Sequence, residues 1–335
     1  MMLTKMKKEW GIYLLIALFA AACSTDPQPQ ASTKPTTRKR VNVPKFERDS
    51  AYAYVERQVD FGPRAPNSTA HQECKNWMAN TLRRFGATVI EQDFKATAYT
   101  GEKLNGTNVI GSYNPEHPRR VLLAAHWDSR PIADYDPDEA YQKQPVPGAD
   151  DGASGVGVLL EVARLLQQNP IDLGVDIIFF DLEDYGESQS EDFETWCLGS
   201  QYWGKNPHKK GYQARFGILL DMVGAKNARF TKEETSMAYA PAIMNKVWKL
   251  GQNMGYGNFF VDDKTKLLID DHLFVNRLTG IPTIDIINRP VGTATGFGHY
   301  WHTHKDDMDV IDKRTLRAVG QTVLAVLFRE SEGTF

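Results

Sequence analysis

Ten polar residues, each ending an apolar run or lying in the loop after one, carry the chemistry open to this chain. They are His126, Asp128, Asp151, Glu183, Asp184, Asp221, Asp270, Asp271, His302 and His304. Seven are carboxylates, and seven carboxylates gathered at one edge of a sheet would repel one another strongly. A cation must offset that repulsion. Two histidines with one or two carboxylates form a natural site for a divalent metal, zinc being the commonest with mixed nitrogen and oxygen ligands. Such an ion acts as a Lewis acid or activates water. Taken singly, Asp151 could be a helix cap and Glu183 and Asp184 surface acids. Their recurrence at several strand ends argues against accident.

The elements that must position these residues follow from periodicity. Val175, Ile177, Ile178, Phe179 and Phe180 form a run suited to a buried strand, and Asp181, Glu183 and Asp184 are the first polar side chains after it. In an open α/β sheet, ligands bind at that carboxyl edge. The loop "GADDGASGVG" precedes a helix expected over 153–168, where Val156, Leu159, Leu160, Ala163 and Leu166 recur at helical spacing. Asp151 therefore lies at or just before a helix N-terminus. Strands are expected over 87–94, 107–113 and 121–125, with "HWDSRP" directly after the last. "FGILLDMVGAKNARF" repeats the pattern of strand then acid, ending at Asp221, and a further buried strand is expected over 283–287. Helices are expected over 70–85, stopped by Gly86, over 238–254 and over 313–330. The polar stretches 131–147 and 187–196 read as a surface loop beside the same edge and an insertion after the acid pair. No internal repeat or compositional break divides the chain, so the reading is one α/β domain.

With 335 residues, 41% hydrophobic and 24% charged, the chain is globular in composition and long enough for one large core. A formal charge of −3 gives no basic footprint, so no nucleic-acid partner is expected. The three cysteines cannot make a disulfide framework, although Cys74 and Cys197 could form one bridge in an oxidising compartment. Residues 1–23 read as a targeting segment: Lys5, Lys7 and Lys8 precede an apolar run over 10–22 that is short for a bilayer span. That run ends in Ala20-Ala21-Ala22-Cys23, which resembles a bacterial lipoprotein cleavage site with Ala where Leu is more usual. Cys23 is then the lipidated residue, and an uncleaved anchor is the alternative. Residues 24–40, rich in Pro, Thr, Gln and Ser, read as a disordered tether, with the folded domain over 41–335.

In order along the chain, "AHWDS", "GADDGASGVGVLLEVAR", "FFDLEDYGE", "LLDMVGA", "DDH" and "YWHT" resemble the zinc-dependent M28 peptidase superfamily. Within it they most resemble the glutaminyl cyclases, bacterial ones especially. The similarity runs from "FGPRAPNS" at Phe61 to the final helix. It implies a single α/β domain with a central, mostly parallel mixed sheet flanked by helices. It also implies Asp151, Asp184 and His302 as ligands of one zinc per chain, Asp184 standing where the family usually has glutamate.

Two enzymes remain open under that resemblance. A dinuclear aminopeptidase would add His126 and Asp221 as ligands, with Asp151 bridging and Glu183 activating water. A glutaminyl cyclase would act on peptides or proteins with an N-terminal glutamine, whose own α-amine is the nucleophile, so one zinc suffices. The cyclases carry an acid at the position of Asp270, paired with the aspartate matching Asp221. Trp196, Trp301 and Phe297 would then wall the substrate pocket, Glu183 would shuttle the proton, and His126, held by Asp128, would support the site. The expected setting is a bacterial cell envelope, lipid-anchored and facing the periplasm. A binding protein that has lost catalysis is a third reading, and it predicts a broken ligand set, for which Asp184 is the only departure.

Overall fold

A computed structural model describes residues 41–335, and its elements largely follow the sequence periodicities. The targeting segment expected over 1–23, its Cys23 and the tether over 24–40 lie outside the described residues. In chain order the elements are α1 (Arg48–Val59), α2 (Thr69–Arg84), β1 (Thr88–Thr97), β2 (Lys103–Tyr113), β3 (Arg120–His126), α3 (Ala153–Gln168), β4 (Gly174–Phe180) and α4 (Leu198–Lys205). They continue with β5 (Gly217–Asp221), β6 (Phe230–Glu233), α5 (Glu234–Tyr239), α6 (Pro241–Gly251), β7 (Phe260–Thr265), α7 (Asp271–Thr279), β8 (Thr283–Ile287) and α8 (Lys313–Ser331).

Six strands form one sheet in the order β1-β2-β4-β3-β5-β8. The pairs β1 with β2 and β2 with β4 are antiparallel, while β4, β3, β5 and β8 run parallel. The four parallel strands are buried at every position, as strands covered on both faces must be. Their side chains alternate between two layers. Leu123, Ala125, Ile177, Phe179, Ile218 and Leu220 join the main core, while Leu122, Ala124, Ile178, Phe180 and Leu219 pack with Trp203 and Val275 on the other face. Helices α1, α3 and α8 pack on one another over the main core, and α4 packs with α7 over the opposite face. This is the single α/β domain with a mixed central sheet that the sequence led us to expect.

From β3 the chain passes through α3 to β4 on one side, then returns to β5 on the other. The strand order reverses there, and such a switch point leaves a crevice outside the carboxyl ends. His126 ends β3, Asp221 ends β5, and Glu183 and Asp184 follow β4.

Two expectations need correction. The helix expected over 238–254 is split, because Pro241 has no N–H to continue α5 and instead opens α6. Its far end loosens into a wide turn over Gln252–Tyr256, where Gly255 has a φ of 91°. The Cys74–Cys197 bridge is also not formed: both are free and buried. Cys74 packs into the main core, while Cys197 lies beside Glu183.

At Gly155 the sequence requires the smallest residue, since a Cβ there would stand 2.2 Å from the Leu220 carbonyl oxygen. Gly155→Ala is therefore expected to push α3 off β5 and destabilise the protein by about 1–3 kcal/mol. Denaturant titration measures this, and an unchanged midpoint would contradict the packing.

Candidate metal centre and active site

Backbone contacts fix the carboxylates before any ligand is considered. The N–H groups of Asp150 and Asp151 both donate to the Asp306 carboxylate, at 2.8 and 3.1 Å. Asp150 in turn accepts the Tyr300 hydroxyl at 2.5 Å and the Gly224 N–H at 2.7 Å, and burial raises its carboxyl pKa to about 6. At Gly152 the backbone turns with a φ of 92°, and a Cβ would stand 2.5 Å from the Asp128 carbonyl oxygen. Asp128 braces the other acid loop: its two carboxylate oxygens accept the N–H groups of Glu183 and Asp184, each at 3.1 Å. Its Oδ1 also stands 3.6 Å from Nδ1 of His126, an ion-pair contact, so Asp128 lies behind the imidazole as expected while its oxygens hold the acid pair. Asp181 turns away from the crevice and meets His71 Nε2 at 2.8 Å.

The structure brings Asp151, Asp184 and His302 together as three buried donors whose ligand atoms lie within 4.8 Å of one another. His302 Nε2 stands 3.3 Å from Asp184 Oδ1 and 4.0 Å from Asp151 Oδ2. Ligands bound at about 2.0–2.1 Å to a tetrahedral zinc stand about 3.4 Å apart, so the donor set fits that ion. His126, Asp151 and Asp221 make a second such group sharing Asp151. There His126 Nε2 lies 2.9 Å from Asp151 Oδ1 and 3.1 Å from Asp221 Oδ1.

Two supporting residues escaped the sequence reading, although they lie in or beside the polar stretch 131–147. Asp134 Oδ1 stands 3.3 Å from His302 Nδ1, an ion-pair contact on the side of the ring away from the donor group. Arg130 holds Asp134 through Nε and Nη2, each at 2.7 Å, and reaches Asp184 Oδ1 with Nη1 at 3.2 Å. One buried guanidinium thus ties a proposed ligand to the residue behind another. Burial opposes the Asp134 charge, but His302 and Arg130 outweigh it and hold its carboxyl far below the usual range. His304 stands apart from the centre, paired with Asp136.

Glu183 lies between this centre and Asp270. Burial pushes its carboxyl well above the ordinary value; His126 opposes that, while Asp184, Asp270 and Asp271 add to it. The Cys197 thiol donates to its Oε1 at 3.3 Å. Burial also raises Asp184, Asp221 and Asp270. On His126, burial disfavours the charge, yet Asp128, Asp151 and Asp221 outweigh it and lift the imidazole well above its usual value.

The pairing of Asp270 with Asp221 is not what forms. Asp270 caps α7, accepting the Asp271 N–H at 2.5 Å, and lies with His272 and with Asp285 on β8 in a buried group whose polar atoms stand within 4.8 Å of one another. Asp285 follows from the strand period: Ile284 and Ile286 face the main core, so the residue between them faces α7. Asp221 is taken up by His126 and feels Asp270 only through space.

These acids open on a cavity of about 470 Å³. Trp196, Trp301 and Phe297 line it, as expected, joined by Tyr135, Phe193 and Arg289. Trp301 stacks on His302 with ring centroids 3.5 Å apart and on Phe297 at 4.5 Å. Trp196 lies parallel to His302 at 6.1 Å, with the Arg130 guanidinium 4.8 Å from its ring. Leu182, Cys197, Met222 and His302 all hold positive φ around this cavity, local strain of the kind that collects at functional sites.

The model of peptidase family M28 matches residues 108–327. The chain belongs to peptidase family M28. Among solved M28-like structures, a Bacteroides thetaiotaomicron glutaminyl cyclase bound to N-acetylhistamine is 55% identical, with a TM-score of 0.84, covering 86% of this chain and 99% of that one. A protein described as a leucine aminopeptidase precursor from the same organism is also 55% identical, with a TM-score of 0.83 over 86% and 99% of the two chains. The glutaminyl-peptide cyclotransferase of Drosophila melanogaster is 27% identical over 282 residues, 76% of this chain and 73% of that protein.

The Asp134 contact yields a direct expectation for this M28 domain. Asp134→Ala should weaken zinc affinity about 10–100-fold, because the His302 ring loses its orienting partner. Competition with a chelator measures this, and unchanged affinity would contradict the assignment.

Proposed function

We propose that the protein is a zinc-dependent glutaminyl-peptide cyclotransferase, converting the N-terminal glutamine of peptides and proteins to pyroglutamate with release of ammonia. The observation that carries this reading is the placing of buried Asp270 beside Glu183, in a cavity walled by Trp196, Trp301 and Phe297. One zinc per chain, held by Asp151, Asp184 and His302, belongs to this proposal. So do export, lipidation at Cys23 and a periplasm-facing position at the cell envelope, motivated by the small residues before Cys23 and the tether-like composition that follows.

Zinc, when bound, supplies a Lewis acid for the γ-amide carbonyl. Glu183 takes a proton from the α-amine as its nitrogen bonds to the amide carbon, then returns that proton to the amide nitrogen as the carbon–nitrogen bond breaks. The burial that raises Glu183 makes it a stronger proton acceptor than an ordinary carboxylate, which suits it to taking the proton from the amine and holding it for the leaving nitrogen. Asp270, with Asp285 behind it, accepts the N–H groups of the amide being displaced. The aromatic walls exclude water and hold the glutamine stem against His302.

A second reading, a dinuclear aminopeptidase, is favoured by one observation: the donor group of His126 and Asp221 shares Asp151 with the first. Glu183 would then take its proton from water. A paired assay separates the two, with ammonia release from a glutaminyl peptide beside amino-acid release from a leucyl peptide. Cyclisation without cleavage is expected; leucine release without cyclisation would overturn the cyclase reading. In the same assay Glu183→Gln should keep its zinc and lose about 10²–10⁴-fold in kcat. Full turnover in that variant would remove Glu183 from the proton transfer.

A further inference from the structure

Arg289 is an unpaired cation in the wall of the substrate cavity. It follows β8 by two residues, lines the cavity and is only 8% exposed. Its backbone N–H donates to the Arg229 carbonyl at 3.0 Å. Its buried Nε has no hydrogen-bond partner, and among the described residues no hydrogen bond or ion pair engages the guanidinium. Asp285, Glu233 and Asp270 act on it through space, against a burial that disfavours its charge. A buried guanidinium left this way loses its hydration without gaining a partner. Arg130, the other arginine beside the cavity, is saturated by Asp134 and Asp184.

The placement of Arg289 gives it a direction. Its Cζ lies 4.4 Å from the Phe297 ring centroid, Phe297 stacks on Trp301 at 4.5 Å, and Trp301 on His302 at 3.5 Å. Arg289 therefore ends a ladder of stacked groups that begins at the proposed ligand. A glutamine whose side-chain amide sat at His302 and whose backbone followed that ladder would bring the residue after it level with the guanidinium. Glu187 and Glu191 also line the cavity, and Arg289 is the cation against which an acidic group would settle. A guanidinium offers its donors in a planar fork that matches a carboxylate.

We propose that Arg289 binds a carboxylate carried by the residue that follows the N-terminal glutamine. The proposal rests on the cyclase reading and adds a substrate class to it: glutaminyl peptides with an acidic second residue, or glutaminyl dipeptides with a free C-terminus. The side-chain and terminal carboxylates are the same chemistry from two sources, and two substrate pairs distinguish them.

The test compares kcat/KM on the zinc-loaded enzyme for Gln-Glu-amide against Gln-Gln-amide, and for Gln-Ala with a free against an amidated C-terminus. At least one carboxylate member should be preferred about tenfold, mainly through KM, as a charge-assisted hydrogen bond allows. The favoured pair identifies the source. Arg289→Gln should level the two members of that pair, and Arg289→Lys should restore part of the difference. Turnover without discrimination in either pair would overturn the proposal and leave the cyclase reading standing, whether or not the variants fold. Discrimination that survives in Arg289→Gln would also overturn it, reducing Arg289 to a counter-charge for Asp285 and Asp270. Absence of turnover on all four peptides would remove the cyclase reading and this proposal together.

Discussion

Crowded, buried negative charge is the constraint on which the rest of this structure depends. Asp151, Glu183, Asp184, Asp221 and Asp270 are brought to one crevice, and four of them, all but Asp151, have raised carboxyl pKa values with burial as the largest cause. Asp151 is held low, against its own burial, by His126 and His302. Burying a carboxylate without compensation costs several kcal/mol, so the fold must supply cations or bind them. The side chains within reach are His126, His302 and Arg130, and both histidines point Nε2 into the cluster. Those ring nitrogens are donors while protonated and ligands once deprotonated, so the geometry that tolerates the acids without metal is the geometry that binds one.

Rigidity comes from a layer of groups behind the acids. Asp306 holds the Asp151 loop by two N–H groups, and Asp128 holds the Glu183 loop by two more. In each case a buried carboxylate is satisfied by backbone that has no other partner, which fixes a loop where a side-chain contact would let it turn. The same economy governs Arg130, whose guanidinium joins the long loop of Asp134 to the turn after β4. The positive φ values at Leu182, Met222 and His302 are tolerated inside this frame.

Much of this was legible in the sequence. The four parallel strands announced themselves as largely apolar runs, and the site residues as the first polar groups after them, because a strand buried on both faces carries few polar positions before it ends. The donor group Asp151, Asp184 and His302 was therefore visible as a list, though its convergence is a property of the switch in strand order. Asp285 was hidden for the opposite reason: it interrupts an apolar run and reads as one polar residue in a strand. Arg130, Asp134 and Arg289 sit in irregular chain, where no period marks which side chain turns inward. The break at Pro241 was passed over because apolar spacing continues across it, although the missing N–H dictates a boundary.

The most direct measurement follows thermal unfolding of the metal-free and zinc-loaded protein from about pH 8 to pH 5. Glu183, Asp184, Asp221 and Asp270 have raised folded pKa values, as do His126 and His302, so without metal each binds protons more tightly folded than unfolded. Asp134 and Asp151, both lowered, stay ionised in the folded state across that window. The metal-free protein should therefore gain stability as pH falls, while the zinc-loaded protein should be far more stable at pH 8 and lose that advantage as protons displace the ion. Coincident curves with and without zinc would contradict a cation-binding role for the cluster.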